Sequence, residues 1–114
     1  MAVLLGLADV VLIPTFAYEG ACLAAIEATC AGVPVLASDV GGLNDTVIDG
    51  WNGLLAKALP SDIGSRLAEL LANEGLRVRL GGEGRRFADL YSIEAWVLRM
   101  ESVLFSVLGD ISVP

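Results

Sequence analysis

Two glutamates, Glu19 and Glu27, flank the start of an alanine-rich apolar stretch, Glu19-Gly20-Ala21-Cys22-Leu23-Ala24-Ala25-Ile26-Glu27-Ala28. The residue types around Glu27 are those of a buried segment. An ionised carboxylate left unpaired in an apolar layer costs roughly several kcal/mol or more. Glu27 therefore either pairs with one of the arginines of the chain or waits for a ligand. The pattern predicts a helix over 19–31, whose first turn offers unpaired N–H groups and the positive end of the helix dipole. Such a turn is a natural seat for a phosphate or diphosphate. Gly20 and Ala21 leave room for a ligand to approach the backbone. At ~1.5 Å rise per residue, Glu27 is expected about 12 Å beyond Glu19 along the axis. A sugar on one side of a diphosphate and a ribose on the other are separated by a similar distance. Carboxylates accept hydrogen bonds from vicinal hydroxyls, so one glutamate could hold the sugar and the other the ribose. The plainer alternatives are a first-turn acid favoured by the dipole for Glu19 and an internal ion pair for Glu27.

The whole chain bounds these options. Its 114 residues allow one domain at most, long enough to bury roughly two thirds of its unfolded surface. With 55% hydrophobic and 18% charged residues, it suits elements covered on both faces or a piece of a larger body. A net charge of −7 disfavours nucleic acid and anionic lipid as general partners. Any phosphate bound here must then be held by backbone amides or a few local arginines. Cys22 and Cys30 would lie about 12 Å apart along one helix, too far for a disulfide. With no histidine and no third cysteine, no zinc site is expected. The two cysteines read as small buried hydrophobes in a reducing compartment. The apolar run Met1 to Pro14 lacks a basic n-region and is interrupted by Asp9 and Pro14. It reads as neither a signal peptide nor a membrane span of ~20 residues. The cytoplasm, or the inner face of a membrane reached by peripheral association, is the expected place.

Leu7 to Pro14 is a short β-branched run, a buried parallel strand by pattern. After the helix, Gly32 and Pro34 give the stop, and Val33 to Ser38 reads as a second strand of the same kind. Asp49-Gly50-Trp51-Asn52-Gly53 makes a turn into a third, Leu54 to Ala56. Pro60-Ser61-Asp62 opens an amphipathic helix with Ile63, Leu67, Leu70 and Leu71 on one face. Another helix spans about 76–90, and Ser92-Ile93-Glu94 opens the last. Phe87, Trp96 and Phe105 read as core, Trp51 as exposed, and Arg85-Arg86 as a solvated helix face. Gly41-Gly42 reads as a turn rather than a phosphate cradle. This order is α/β, the second half of a doubly wound, Rossmann-like parallel sheet. A complete sheet would carry earlier strands, so the first strand is expected to present an unpaired apolar edge, as in an N-terminally truncated domain.

In order and spacing, these signals resemble the donor-binding C-terminal domain of GT-B glycosyltransferases of the family 4 type, "glycosyl transferases group 1". The resemblance rests on Pro14, Glu19-Gly20, Glu27-Ala28, Gly32-Val33-Pro34-Val35-Leu36-Ala37-Ser38, and Gly41-Gly42-Leu43-Asn44-Asp45. It continues through Asp49-Gly50-Trp51-Asn52-Gly53-Leu54-Leu55, Gly84-Arg85 and Tyr91-Ser92-Ile93-Glu94. It covers about 8–105, within a partial domain taken as 1–114.

The resemblance implies transfer of a sugar from a nucleoside diphosphate sugar to an acceptor, with retention, in glycan, glycolipid or polysaccharide synthesis. Glu19 would stand at the reaction centre on the sugar hydroxyls, not as a nucleophile, helped by backbone amides at Gly20, Ala21 and Cys22. Glu27 would accept the ribose hydroxyls, and amides near Leu23 and Ala24 would face the diphosphate. No cofactor and no metal are implied, and the chain carries no Asp-x-Asp motif. Ala21-Cys22 stands where Phe-Gly is usual, and Asn44-Asp45 where Pro-Glu is common. The N-terminal acceptor domain and the basic residues for the diphosphate would lie upstream or in a separate subunit, so the chain alone is expected to be inactive. A non-catalytic nucleotide-sugar-binding subunit and a fragment of a GT-B-fold sugar 2-epimerase are the alternative readings.

Overall fold

The computed structural model describes residues 2–109; Met1 and the C-terminal end of the 1–114 span lie outside the described residues. Three parallel strands, β1 (Val11–Ile13), β2 (Val35–Ser38) and β3 (Gly53–Ala56), form one sheet in the order β1-β2-β3. Val11 stands opposite Val35, and Leu36 opposite Leu54. Because side chains alternate along a strand, β2 feeds both faces. Val35 and Ala37 enter a cluster with Ala25, Ala28, Leu43 and Val47. Leu36 enters the opposite cluster with Leu54, Ile63, Leu70 and Leu80. Val35, Leu36 and Ala37 are fully buried, and a Val or Leu so placed stabilises the fold by about 1.5–3 kcal/mol.

The first face is covered by α2 (Leu23–Cys30) and α3 (Leu43–Thr46), the second by α4 (Pro60–Ala72) and α5 (Glu74–Phe87). Pro60 occupies the start of α4, where its missing N–H is no loss. Asn73 caps α5, its Oδ1 accepting from the Leu76 amide at 2.9 Å. The turn into β3 is held from inside by Asn52, which is buried; its Oδ1 accepts from Ile48 N at 2.7 Å and its Nδ2 donates to the Thr46 carbonyl at 2.9 Å. After α5 a 3-10 turn (Ala88–Tyr91) leads to α6 (Ile93–Leu108), whose Ser92 cap accepts from Ala95 N at 3.1 Å.

Several expectations are corrected. The first strand is only three residues long, because Leu7 N and Ala8 N bond back to Leu4 O and Leu5 O and close a short helix, α1 (Ala2–Leu5). The helix predicted over 19–31 begins at Leu23, for Cys22 is extended (φ −78°, ψ 106°) and the Glu19 carbonyl is engaged by another loop. Trp96 and Phe105 are 54% and 68% exposed rather than core. Amphipathic spacing marks the face of α6 that favours burial but does not supply a cover for it. Trp51, expected exposed, is half-buried and packs edge-on against Phe87 at 5.3 Å. The outer edge of β1 has no strand beside it among the described residues, as the pattern implied.

The contact between α2 and α5 is close enough to be set by glycine. A Cβ at Gly81 would lie 3.0 Å from the Gly32 carbonyl carbon and closer still to its oxygen, whereas one at Gly82 would meet nothing within 4 Å. Gly81→Ala should therefore lower stability to urea by about 1–3 kcal/mol through overpacking. Gly82→Ala should raise it by about 0.5–1 kcal/mol through helix propensity. Equal effects from the two would contradict this packing.

Candidate functional site

The segment Glu19 to Glu27 forms a mouth at the N-terminus of α2. Cys22 is the N-cap and gives no side-chain capping bond, while its carbonyl accepts from Ala25 N and Ile26 N at 3.0 and 3.2 Å. The amides of Cys22, Leu23 and Ala24 have no partner among the described residues. They converge at the positive end of the helix, an arrangement suited to anionic oxygen. The Cys22 side chain packs against the apolar cluster around Ala25 and Ala28. Gly20, Ala21, Leu23 and Ala24 are exposed, and Glu19 and Cys22 are half-buried. All seven residues marked in the sequence thus lie along one continuous stretch of surface.

Two details differ from the sequence reading. Glu19 is not on the helix but in the loop before it, so helical rise does not set its distance from Glu27. Glu27 sits four residues past Leu23, about 6 Å along the axis. It is exposed rather than buried, and it makes no ion pair among the described residues. An internal arginine partner was one of the two sequence options for Glu27, and the structure does not adopt it.

Glu27 instead faces a cleft of about 460 Å³ lined by Leu5, Gly6, Ile26, Cys30 and Arg85. Arg85 is a site residue that sequence reasoning placed on a solvated face. It is exposed, as is its neighbour Arg86, whose side chain is 80% exposed and 3.5 Å from Glu83; Arg85 in addition lines this cleft. Arg85 reaches the cleft, while remaining exposed, because Gly84 packs on Thr29 and Gly81 on Gly32. The signal was the pair of glycines three apart in α5, which marks a close helix contact. One helix thus supplies a carboxylate and its close neighbour a guanidinium, with apolar walls between them and neither charge neutralised by an ion pair among the described residues. Such a cleft can take a ligand that donates to one group and accepts from the other.

A second cleft, about 430 Å³, lies past the C-terminal ends of β2 and β3, among Asp39, Asp49, Lys57, Asp62 and Arg66. Two of its charges are committed to each other. Arg66 pairs with Asp49 at 3.3 Å and with Glu69 at 3.2 Å, and Asp49 also accepts from the Leu55 amide. The α2 mouth, with free amides and unpaired carboxylates, is the stronger candidate.

The sequence model of the family described as "Glycosyl transferases group 1" matches residues 1–87. The chain belongs to this family. Among curated proteins it is 43% identical, over 93 residues, to an uncharacterized glycosyltransferase of Methanocaldococcus jannaschii, covering 81% of this chain and 26% of that protein. It is 34% identical over 104 residues to the D-inositol 3-phosphate glycosyltransferase of Corynebacterium glutamicum, covering 90% and 25%. Among solved structures, sucrose-phosphate synthase from Thermosynechococcus elongatus superposes with a TM-score of 0.78 at 35% identity, over 90% of this chain and 26% of that one. Anabaena HepE, solved in complex with UDP, superposes at 0.83 with 20% identity over 90% and 29%, a likeness of fold. The fold is α/β of the GT-B kind, and the chain spans about a quarter of the length of these relatives.

Both thiols are free, Cys30 exposed in the cleft and Cys22 half-buried at the cap. Cys30 should therefore be alkylated several-fold faster than Cys22 by iodoacetamide, by roughly the difference in thiolate access. Peptide mapping over time reads the order, and faster modification of Cys22 would contradict this placement.

Proposed function

We propose that this chain is the donor-binding part of a retaining glycosyltransferase that uses a nucleoside diphosphate sugar. The observation that carries this reading is the set of amides at Cys22, Leu23 and Ala24, unpartnered among the described residues, with a carboxylate on either side that makes no ion pair among them. The amides accept the diphosphate, and the helix dipole adds to its binding. Glu27 accepts from the ribose hydroxyls in the cleft behind the mouth. Glu19, with the amides of Gly20 and Ala21, holds hydroxyls of the transferred sugar. Each contact is a charge-assisted or backbone hydrogen bond that fixes position, which is how a site without a protein nucleophile lowers a barrier. The acceptor attacks from the face on which the diphosphate leaves, and the departing phosphate oxygen takes its proton. No metal or cofactor enters this scheme.

Membership of the family supports the donor class, and the complex of HepE with UDP shows that a protein of this fold takes a nucleoside diphosphate. The relatives are about four times as long as the matched region, and in this reading the acceptor site and the rest of the donor site would come from upstream residues or from a separate subunit. Activity would then need that second part together with this one.

In the complete gene product, Glu27→Ala should weaken the sugar-nucleotide donor by on the order of 1.5–3 kcal/mol, the range for hydrogen bonds to a charged group. Titration calorimetry with UDP-glucose, GDP-mannose and ADP-glucose measures this, and an unchanged affinity for the donor that binds would remove Glu27 from the site.

A further inference from the structure

The loop that carries Glu19 is gripped by the turn after β2. Gly42 N donates to the Glu19 carbonyl at 2.7 Å. A Cβ at Gly42 would lie 2.7 Å from the Gly20 carbonyl oxygen and 3.3 Å from Ala21 N. A Cβ at Gly41 would lie 2.8 Å from Glu19 N and closer still to its carbonyl oxygen. Two backbones thus run in contact with no side chain between them. The gripping turn is itself held: Ser38 before it and Leu43 after it are fully buried. Within it, Val40 N bonds to Ser38 O at 2.9 Å and Leu43 N to Val40 O at 3.3 Å.

We infer that Gly41 and Gly42 are positioning residues, a backbone latch that sets where the Glu19 carboxylate stands relative to the N-terminus of α2. This inference rests on the reading of Glu19 as the sugar contact, and it assigns to the glycine pair a task separate from a turn or a phosphate cradle. The latch touches Glu19, Gly20 and Ala21 but not Glu27, which is held on α2 by helical hydrogen bonding and by Ala25 and Ala28 in the core. Loosening it should therefore act on the sugar end of a donor and spare the nucleotide end. The two glycines also separate two causes. Gly42 has ordinary helical dihedrals (φ −79°, ψ 0°), so an alanine there meets only the missing space. Gly41 has φ +53°, which asparagine tolerates, so Gly41→Asn relieves the dihedral requirement and leaves the clash. Gly50, with φ +77° and nothing within 4 Å of its Cβ position, gives a control.

The test uses the complete gene product. UDP-glucose, GDP-mannose and ADP-glucose are screened by calorimetry, and the tightest is then compared with its own free nucleoside diphosphate. Gly42→Ala and Gly41→Asn should each lose about tenfold or more for the sugar nucleotide and less than about twofold for the free diphosphate, as Glu19→Ala does, while Gly50→Asn binds both like the parent. If Glu19→Ala shows that loss and both glycine variants bind the sugar nucleotide normally, the latch is overturned and the sugar contact stands. Equal loss for the two ligands in the glycine variants also overturns it, since that is what general unfolding gives. If Glu19→Ala binds the sugar nucleotide normally, or no sugar nucleotide binds the parent, the underlying reading of the site fails.

Discussion

At Gly42, Gly53 and Gly81 this chain brings backbone against backbone with no room for a side chain, and the positions of both glutamates follow from those contacts. A parallel sheet buried on both faces has to be covered closely, because voids in a packed interior forfeit dispersion contacts. Here the cover is thin: α2 presents Ala25, Ala28 and Thr29 inward, with no large side chain to act as a spacer. The neighbours must come in to meet it, and glycine is what permits the approach. Gly53 lets β3 lie against Val35, with only 2.5 Å from its Cβ position to the Val35 carbonyl oxygen. Gly81 and Gly84 bring α5 onto the end of α2 and carry Arg85 into the cleft of Glu27. Gly41 and Gly42 bring the turn after β2 onto the Glu19 loop. The apolar layer and the polar mouth are consequences of one packing arrangement.

That arrangement explains why a short helix can serve as a binding element. α2 has eight residues and a weakly polar sequence, too short to be stable alone. Packing on β1, β2 and α5 holds it, so its first-turn amides stay aimed at one place without a capping side chain. At an exposed helix end water can satisfy such amides. A bound anion would take the place of that water with the donors already in position, which is the physical content of a preorganised site. The lack of an ion partner for Glu27 has the same meaning. Its carboxylate faces open space with a guanidinium in the same cleft, and a hydroxyl that donates to one and accepts from the other could sit between them.

Much of this was legible in the sequence, in particular where a local rule decides the outcome. β2 was readable because Val35-Leu36-Ala37, directly after Pro34, is a continuous apolar run, and such a run has few ways to be satisfied besides burial on both faces. The starts of α5 and α6 depend on Asn73 and Ser92, whose side chains fix the first turn locally; Ser92 was read in advance and Asn73 was not. The placement of Glu19 was not legible. Apart from Gly20, the residues from Glu19 to Ala31 carry no local signal that fixes the helix start at Leu23, and the contacts of Gly41 and Gly42 with the Glu19 loop come from more than twenty residues later. Arg85 and Arg86 look alike in sequence and both are exposed, and only the tertiary contacts of Gly81 and Gly84 set Arg85 at the edge of the cleft. For α6, Trp96 and Phe105 read as core in the sequence, yet both are exposed, as are Val97, Met100, Val103 and Leu104 beside them. Periodicity states a preference, and whether it is met depends on what else is present.

The central claim is that a nucleoside diphosphate binds across the N-terminus of α2. A crystal structure of the complete gene product grown with UDP, GDP or ADP would test it most directly. The account predicts diphosphate oxygens within hydrogen-bonding reach of the Cys22, Leu23 and Ala24 amides, with the ribose hydroxyls on Glu27. A nucleotide bound elsewhere, for instance in the cleft of Asp49 and Lys57 with the mouth of α2 left empty, would contradict it.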